Sequence, residues 1–140
     1  MRFLSSLLAT VFFLATFGAG IAQDDRVFSL ELNNAQDAGG GCRVSFVAVN
    51  GTGLVLDKTA YEVVVFDGDG RVSQFLILEF GHLPVDKTKV VQFDLAEQPC
   101  GAISRLLINN VAECVSGTEA SAVCLDALRT NARTSIDFGL

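Results

Sequence analysis

Tyr61-Glu-Val-Val-Val-Phe66, then Asp67-Gly-Asp-Gly70, then Arg71-Val-Ser-Gln-Phe-Leu-Ile-Leu-Glu-Phe80 is the stretch that decides the fold. Two runs rich in β-branched and aromatic residues flank a turn. Asp-Gly between such runs is a strong hairpin signal, because a tight turn needs positive φ and Gly supplies it without steric cost. Gly81 to Lys87 is a connection, since Pro84 stops ladder pairing. Thr88 to Leu95 alternates again, with Val91, Phe93 and Leu95 opposing Val90, Gln92 and Asp94. Tyr61 to Leu95 therefore reads strand, turn, strand, loop, strand.

The flanking segments follow the same period of two. Phe28, Leu30 and Leu32 share one face of a strand over Arg26–Asn33, with Ser29, Glu31 and Asn33 on the other. Asn34 to Gly41 reads as a loop. Cys42 to Asn50 is a second strand, with Cys42, Val44, Phe46 and Ala48 inward. Asn50-Gly-Thr-Gly53 is a turn, and Leu54-Val-Leu56 packs beyond it. Cys100 to Ile108 is a late strand, with Leu106-Leu-Ile108 its most buried part. Thr118 to Arg129 is ambiguous between a short helix and a hairpin returning from Cys114; the hairpin is preferred, because cross-strand cysteines would close it. Thr134 to Leu140 alternates, with Ile136, Phe138 and Leu140 on one face. About seven short strands punctuated by turns imply an antiparallel β-sandwich.

The chain has 140 residues, enough for one domain. Residues 1–22 stand apart. Arg2 precedes an apolar run from Phe3 to Phe17, and Gly20-Ile-Ala22 supplies small residues at a cleavage site. At about 15 residues the run is short of the roughly 20 that span a bilayer. This predicts a cleaved export signal over 1–22 and a β-sandwich domain over 23–140, placed in the periplasm or secreted, with no membrane span after cleavage. Arg2 is the only charge in that segment, so its removal moves the net charge from −6 to −7. An acidic domain is repelled by phosphate backbones and anionic membranes, which excludes nucleic acid as a partner.

All four cysteines follow the signal: Cys42, Cys100, Cys114 and Cys124. An even count in an exported chain implies two disulfides with three possible connectivities. Cys42–Cys100 with Cys114–Cys124 is preferred, the second closing over Val115–Val123. Loop entropy assigns these closures about 4 and about 3 kcal/mol. Zinc is disfavoured, because no C-x₂₋₄-C pair occurs and His82 is the only histidine.

Signals for chemistry are few, and no cofactor is expected. Asp67-Gly68-Asp69-Gly70 echoes part of a calcium loop, but Arg71 holds the next ligand position, and a plain turn accounts for all four residues. His82 would have to serve any nucleophile–base pair, yet no spacing ties it to Ser73, Ser104 or Asp86, and no G-x-S-x-G elbow exists. Asn50-Gly-Thr52 fits a glycosylation sequon and equally a turn. The strand Phe75-Leu-Ile-Leu-Glu-Phe80 is apolar on both faces, whereas a two-layer sandwich needs only one. Either loops or the C-terminal segment cover the second face, or it meets a partner or a second copy. Edge pairing is a further option. Tyr61, Phe75, Ile77 and Phe80 are the candidate contact residues.

Asn50-Gly-Thr-Gly-Leu54, Phe66-Asp-Gly-Asp-Gly70, Leu83-Pro-Val-Asp-Lys-Thr88 and Val91-Gln-Phe93 carry a resemblance to small exported immunoglobulin-like bacterial domains of the FxLYD type. It covers about residues 44–95. The family core appears as Val65-Phe66-Asp67; Asp86 stands where the family has Gly, and the four cysteines lie outside the pattern. The chain is also similar to short exported alphaproteobacterial proteins of unknown function. The resemblance implies an immunoglobulin-like sandwich and no catalytic residues. The expectation is thus a non-catalytic binding or accessory module. The alternative is a secreted protease inhibitor presenting the Val115–Val123 loop.

Overall fold

The computed structural model describes residues 25–140; the expected export signal over 1–22 lies outside the described residues. Nine strands form two layers among those residues. One sheet runs in the order β5 (Thr88–Leu95), β2 (Gly41–Asn50), β1 (Phe28–Ala38), β8 (Leu128–Ala132). The other runs β4 (Val72–Glu79), β3 (Lys58–Asp67), β6 (Ile103–Ser116), with β7 (Glu119–Ala120) and β9 (Asp137–Gly139) both beside β6. Pairing β2 with β5 in one layer and β3 with β6 in the other is the Greek-key crossing of immunoglobulin-like sandwiches.

Three expectations need correction. The strands number nine, because β7 and β9, of two and three residues, are too short for periodicity to reveal. The sheets are not wholly antiparallel: β8 runs parallel to β1 and β9 parallel to β6. Asn34–Ala38 is no loop. β1 continues through it past a bulge after Leu32 and turns at Gly39-Gly40, whose φ of 58° and 80° are left-handed.

The alternating residues fill the space between layers. Phe28, Leu30 and Leu32 of β1, Val44 and Phe46 of β2, and Val63 and Val65 of β3 are all buried. Phe46 is the aromatic hub, meeting Phe80, Phe93 and Phe138 at centroid distances of 5.5, 6.0 and 5.0 Å. Edge-to-face contacts of this kind add to simple area burial.

Both preferred disulfides are present. Cys42–Cys100 ties the start of β2 to the single 3₁₀ turn Cys100–Ala102 that leads into β6, so it links the two layers. Cys114–Cys124 ties β6 to the one-turn helix α1 (Val123–Asp126). The ambiguous segment is therefore both hairpin and helix. Glu119–Ala120 returns against Val115–Ser116 through Gly117, but Cys124 sits in α1 and not on a facing strand.

Among the described residues, Asp86 is one of two non-glycine residues with positive φ, at 58°. Asp tolerates this conformation better than most side chains. Its N–H donates to the Asn50 carbonyl at 2.7 Å.

Candidate interaction surface

β4 is an edge strand, paired only with β3. Its side chains alternate between the layers' interior and the outside. Leu78 and Phe80 point inward and are buried, at 4% and 2% exposure. Phe75 and Ile77 point outward and are 64% and 53% exposed. The register extends this outer face across the sheet: Phe75 lies opposite Val64, which lies opposite Leu107. Val72, also exposed, lies opposite Phe66, which lies opposite Arg105. The Arg105 guanidinium sits 5.9 Å from the centre of the Phe66 ring. Val64 itself is buried, so the exposed apolar row at the sheet edge is Val72, Phe75 and Ile77. Among the described residues no loop and no C-terminal segment buries Phe75 or Ile77. Leaving a Phe or Ile in water forgoes about 1.5–3 kcal/mol of burial each, and adjacent exposed apolar residues mark contact sites more than scattered ones do.

Two of the four expected contact residues are not on this surface. Tyr61 is fully buried in β3, between β4 and β6, and its hydroxyl donates to the Cys124 carbonyl at 2.6 Å. Burial pushes its phenol pKa well above the ordinary value, through loss of solvation. Phe80 packs edge-to-face on Phe46 and Phe93. Parity explains both: Phe80 shares the inward face with Leu78, so apolar character on both sides of the strand assigns its residues to two destinations.

The rim is charged. Arg71 precedes β4 and Glu79 ends it, and both are exposed. Glu62, opposite Ile77, accepts a hydrogen bond from Asn109 at 2.6 Å.

The remaining sequence candidates serve the fold. The Asp67 carboxylate accepts from the Asp69 and Arg71 N–H groups, both at 2.9 Å, which is an Asx-type turn. Among the described residues no three His, Cys, Asp or Glu side chains gather to hold a metal. His82 is exposed, with Nδ1 3.6 Å from Asp57. Ser73 donates to the Val65 carbonyl and Ser104 to the Asp67 carbonyl, so both hydroxyls brace β3. Asn50 is fully buried. Its amide donates to the Leu54 and Leu83 carbonyls at 2.7 and 2.9 Å, and its oxygen accepts from Thr52 N–H and Oγ1. The sequon asparagine is thus a core residue whose amide has no room for a glycan. No described helix is long and apolar enough to cross a membrane.

No protein-family model matches the chain, and neither the curated proteins nor the solved structures yield a match.

Proposed function

We propose that this chain is an exported, non-catalytic binding module that engages a protein through the outer face of β4. The exposed row Val72, Phe75 and Ile77 on an edge strand carries this reading. Export is supported by the two disulfides, which persist in oxidising compartments. The signal-like residues 1–22 and the resemblance to exported FxLYD-type domains point the same way, to the periplasm or the exterior. The test is crosslinking in a bacterial periplasm, comparing the native chain with a Phe75→Ser/Ile77→Ser variant. A discrete crosslinked species, lost in the variant while its thermal unfolding is unchanged, is the expected result. Equal crosslinking by both chains would remove this face from the function.

A second reading, a protease inhibitor, has one observation in its favour. Gly117, Thr118, Glu119 and Ala120 are all exposed at a hairpin tip braced by Cys114–Cys124. Exchanging that tip for a shorter turn abolishes inhibition under this reading and leaves the β4 contact intact.

A further inference from the structure

We infer that the occupant of the β4 edge is β4 of a second copy of this chain, paired antiparallel. This inference rests on the contact surface proposed above and names its partner.

The free backbone groups come first. Phe80 N–H donates to the Thr59 carbonyl at 2.8 Å. The register places Tyr61 against Leu78 and Val63 against Leu76. By alternation Leu76, Leu78 and Phe80 spend their N–H and C=O groups on β3. Phe75, Ile77 and Glu79 direct theirs to the open edge. An edge with unpaired groups is a template for another strand unless it is blunted. The other edges are blunted. β7 and β9 have only two and three residues. β8 has five and exposes Arg129 and Asn131. β5 carries Lys89 and Asp94, the latter paired with Arg43. β4 has no Lys, Arg or Pro within its eight residues, and its irregularity lies at the Ser73 end, away from Phe75–Glu79.

The charge pattern selects the partner and its direction. Arg71 stands at the entry of β4 and Glu79 at its exit. Antiparallel self-pairing brings the entry of each strand to the exit of the other, so each Arg71 lies at the same end as the second copy's glutamate, diagonal to it and within reach of two long side chains. Parallel pairing would put like charges together. A two-fold axis at Leu76 sets Phe75 across from the second copy's Ile77, twice, using the edge-directed groups of both residues. The two outer apolar rows then join across one continuous sheet. Isologous contacts of this kind are the commonest route to dimers.

The experiment is sedimentation velocity of the mature chain over a concentration series, with charge reversals at the two ends. The native chain is expected to show a concentration-dependent monomer–dimer equilibrium. Arg71→Glu alone and Glu79→Arg alone each weaken it by roughly tenfold, because opposite-charge cross-strand contacts become repulsive at both ends. The double variant Arg71→Glu/Glu79→Arg restores it. An equimolar mixture of the two single variants forms a heterodimer, since one then carries only acids at its strand ends and the other only bases. Ile77→Pro, which removes an edge-directed N–H and none spent on β3, abolishes the dimer. A monomer at every concentration overturns the inference, as does a dimer indifferent to these charge reversals. A periplasmic crosslink to a different protein, lost in Phe75→Ser/Ile77→Ser, alongside a monomeric purified chain would overturn the dimer and leave the contact surface standing. Absence of any crosslink would remove both.

Discussion

The hydroxyl of Tyr61, in β3, donates to the backbone carbonyl of Cys124, in α1, at 2.6 Å inside the core. This bond and the Cys114–Cys124 disulfide hold the same helix from two strands of one sheet. Tyr61 is the only tyrosine and the chain has no tryptophan, so its ionisation can be read without interference. Burial favours the neutral phenol, and the folded-state pKa is raised. The stability this contributes is complete below the unfolded phenol value of about 10 and is lost as pH rises above it. Tyrosinate absorbance should therefore appear only together with loss of the β-sheet circular dichroism. Ionisation near the ordinary phenol value with the sheet intact would refute the buried-phenol assignment. Tyr61→Phe leaves the Cys124 carbonyl without its donor and should cost about 1–2 kcal/mol in urea unfolding.

Asn50 joins two loops at the end of β2. Its amide reaches Leu54 and Leu83, and its oxygen holds Thr52. The adjacent Leu56 and Leu83 exchange backbone hydrogen bonds, at 3.1 and 2.7 Å. A carboxylate cannot donate to the two carbonyls. Asn50→Asp should lower stability by about 3 kcal/mol, since the buried Leu83 carbonyl and the partly buried Leu54 carbonyl are left facing a buried charge. Denaturant titration should show the midpoint falling with the slope unchanged. A loss below about 1 kcal/mol would mean that water replaces the amide there.

Much of this architecture is legible in the sequence because burial imprints period two on the strands that cross the core. Phe28, Leu30 and Leu32, or Val44, Phe46 and Ala48, can be read directly, and Asp67–Gly70 announces its hairpin. The signal fails where a strand leaves the core. Asn34–Asp37 continues β1 with no buried side chain, and its hydrogen bonds alone make it a strand. β6 runs on to Ser116, but register shifts opposite Tyr61 and Glu62 break its alternation. The exposed apolar row is legible in Phe75 and Ile77 because they add apolar bulk on the side a sandwich does not need. Tyr61 and Phe80 lie inside, which hydrophobicity alone does not show because it does not say which side of a strand is outside; parity with Leu78 does for Phe80.

Asp86 holds a conformation that favours glycine. Its φ of 58° is left-handed, its side chain is exposed and its N–H is fixed to Asn50. Asp86→Gly relieves the backbone but adds freedom to the unfolded chain, and these effects nearly cancel, to within about 0.5 kcal/mol. Asp86→Val places a β-branched side chain in the same conformation and should cost about 1–2 kcal/mol. Thermal unfolding of both variants separates the cases. Equal behaviour of Gly and Val would mean that the loop relaxes out of the left-handed region.

Arg43 and Asp94 face each other across β2 and β5 through two hydrogen bonds, at 2.7 and 3.0 Å. Hydrogen bonding to the guanidinium holds the Asp94 carboxyl below its usual range. A depressed carboxyl stabilises the fold above its unfolded pKa, and that contribution is lost as pH falls through the folded value. The pair is solvent-exposed, so its share of stability is small and screened by salt. The sensitive observable is the titration itself. Carboxyl-carbon NMR should place the Asp94 midpoint below an ordinary aspartate in the native chain, and Arg43→Ala should return it to the usual range. Glu31 is the internal control. Its carboxyl is also lowered, by Asn33 first and by Arg133, and Arg43 is not among the causes. An Asp94 midpoint unmoved by Arg43→Ala would assign its depression to another group, and a matching shift of Glu31 would mean that the substitution had disturbed the sheet as a whole.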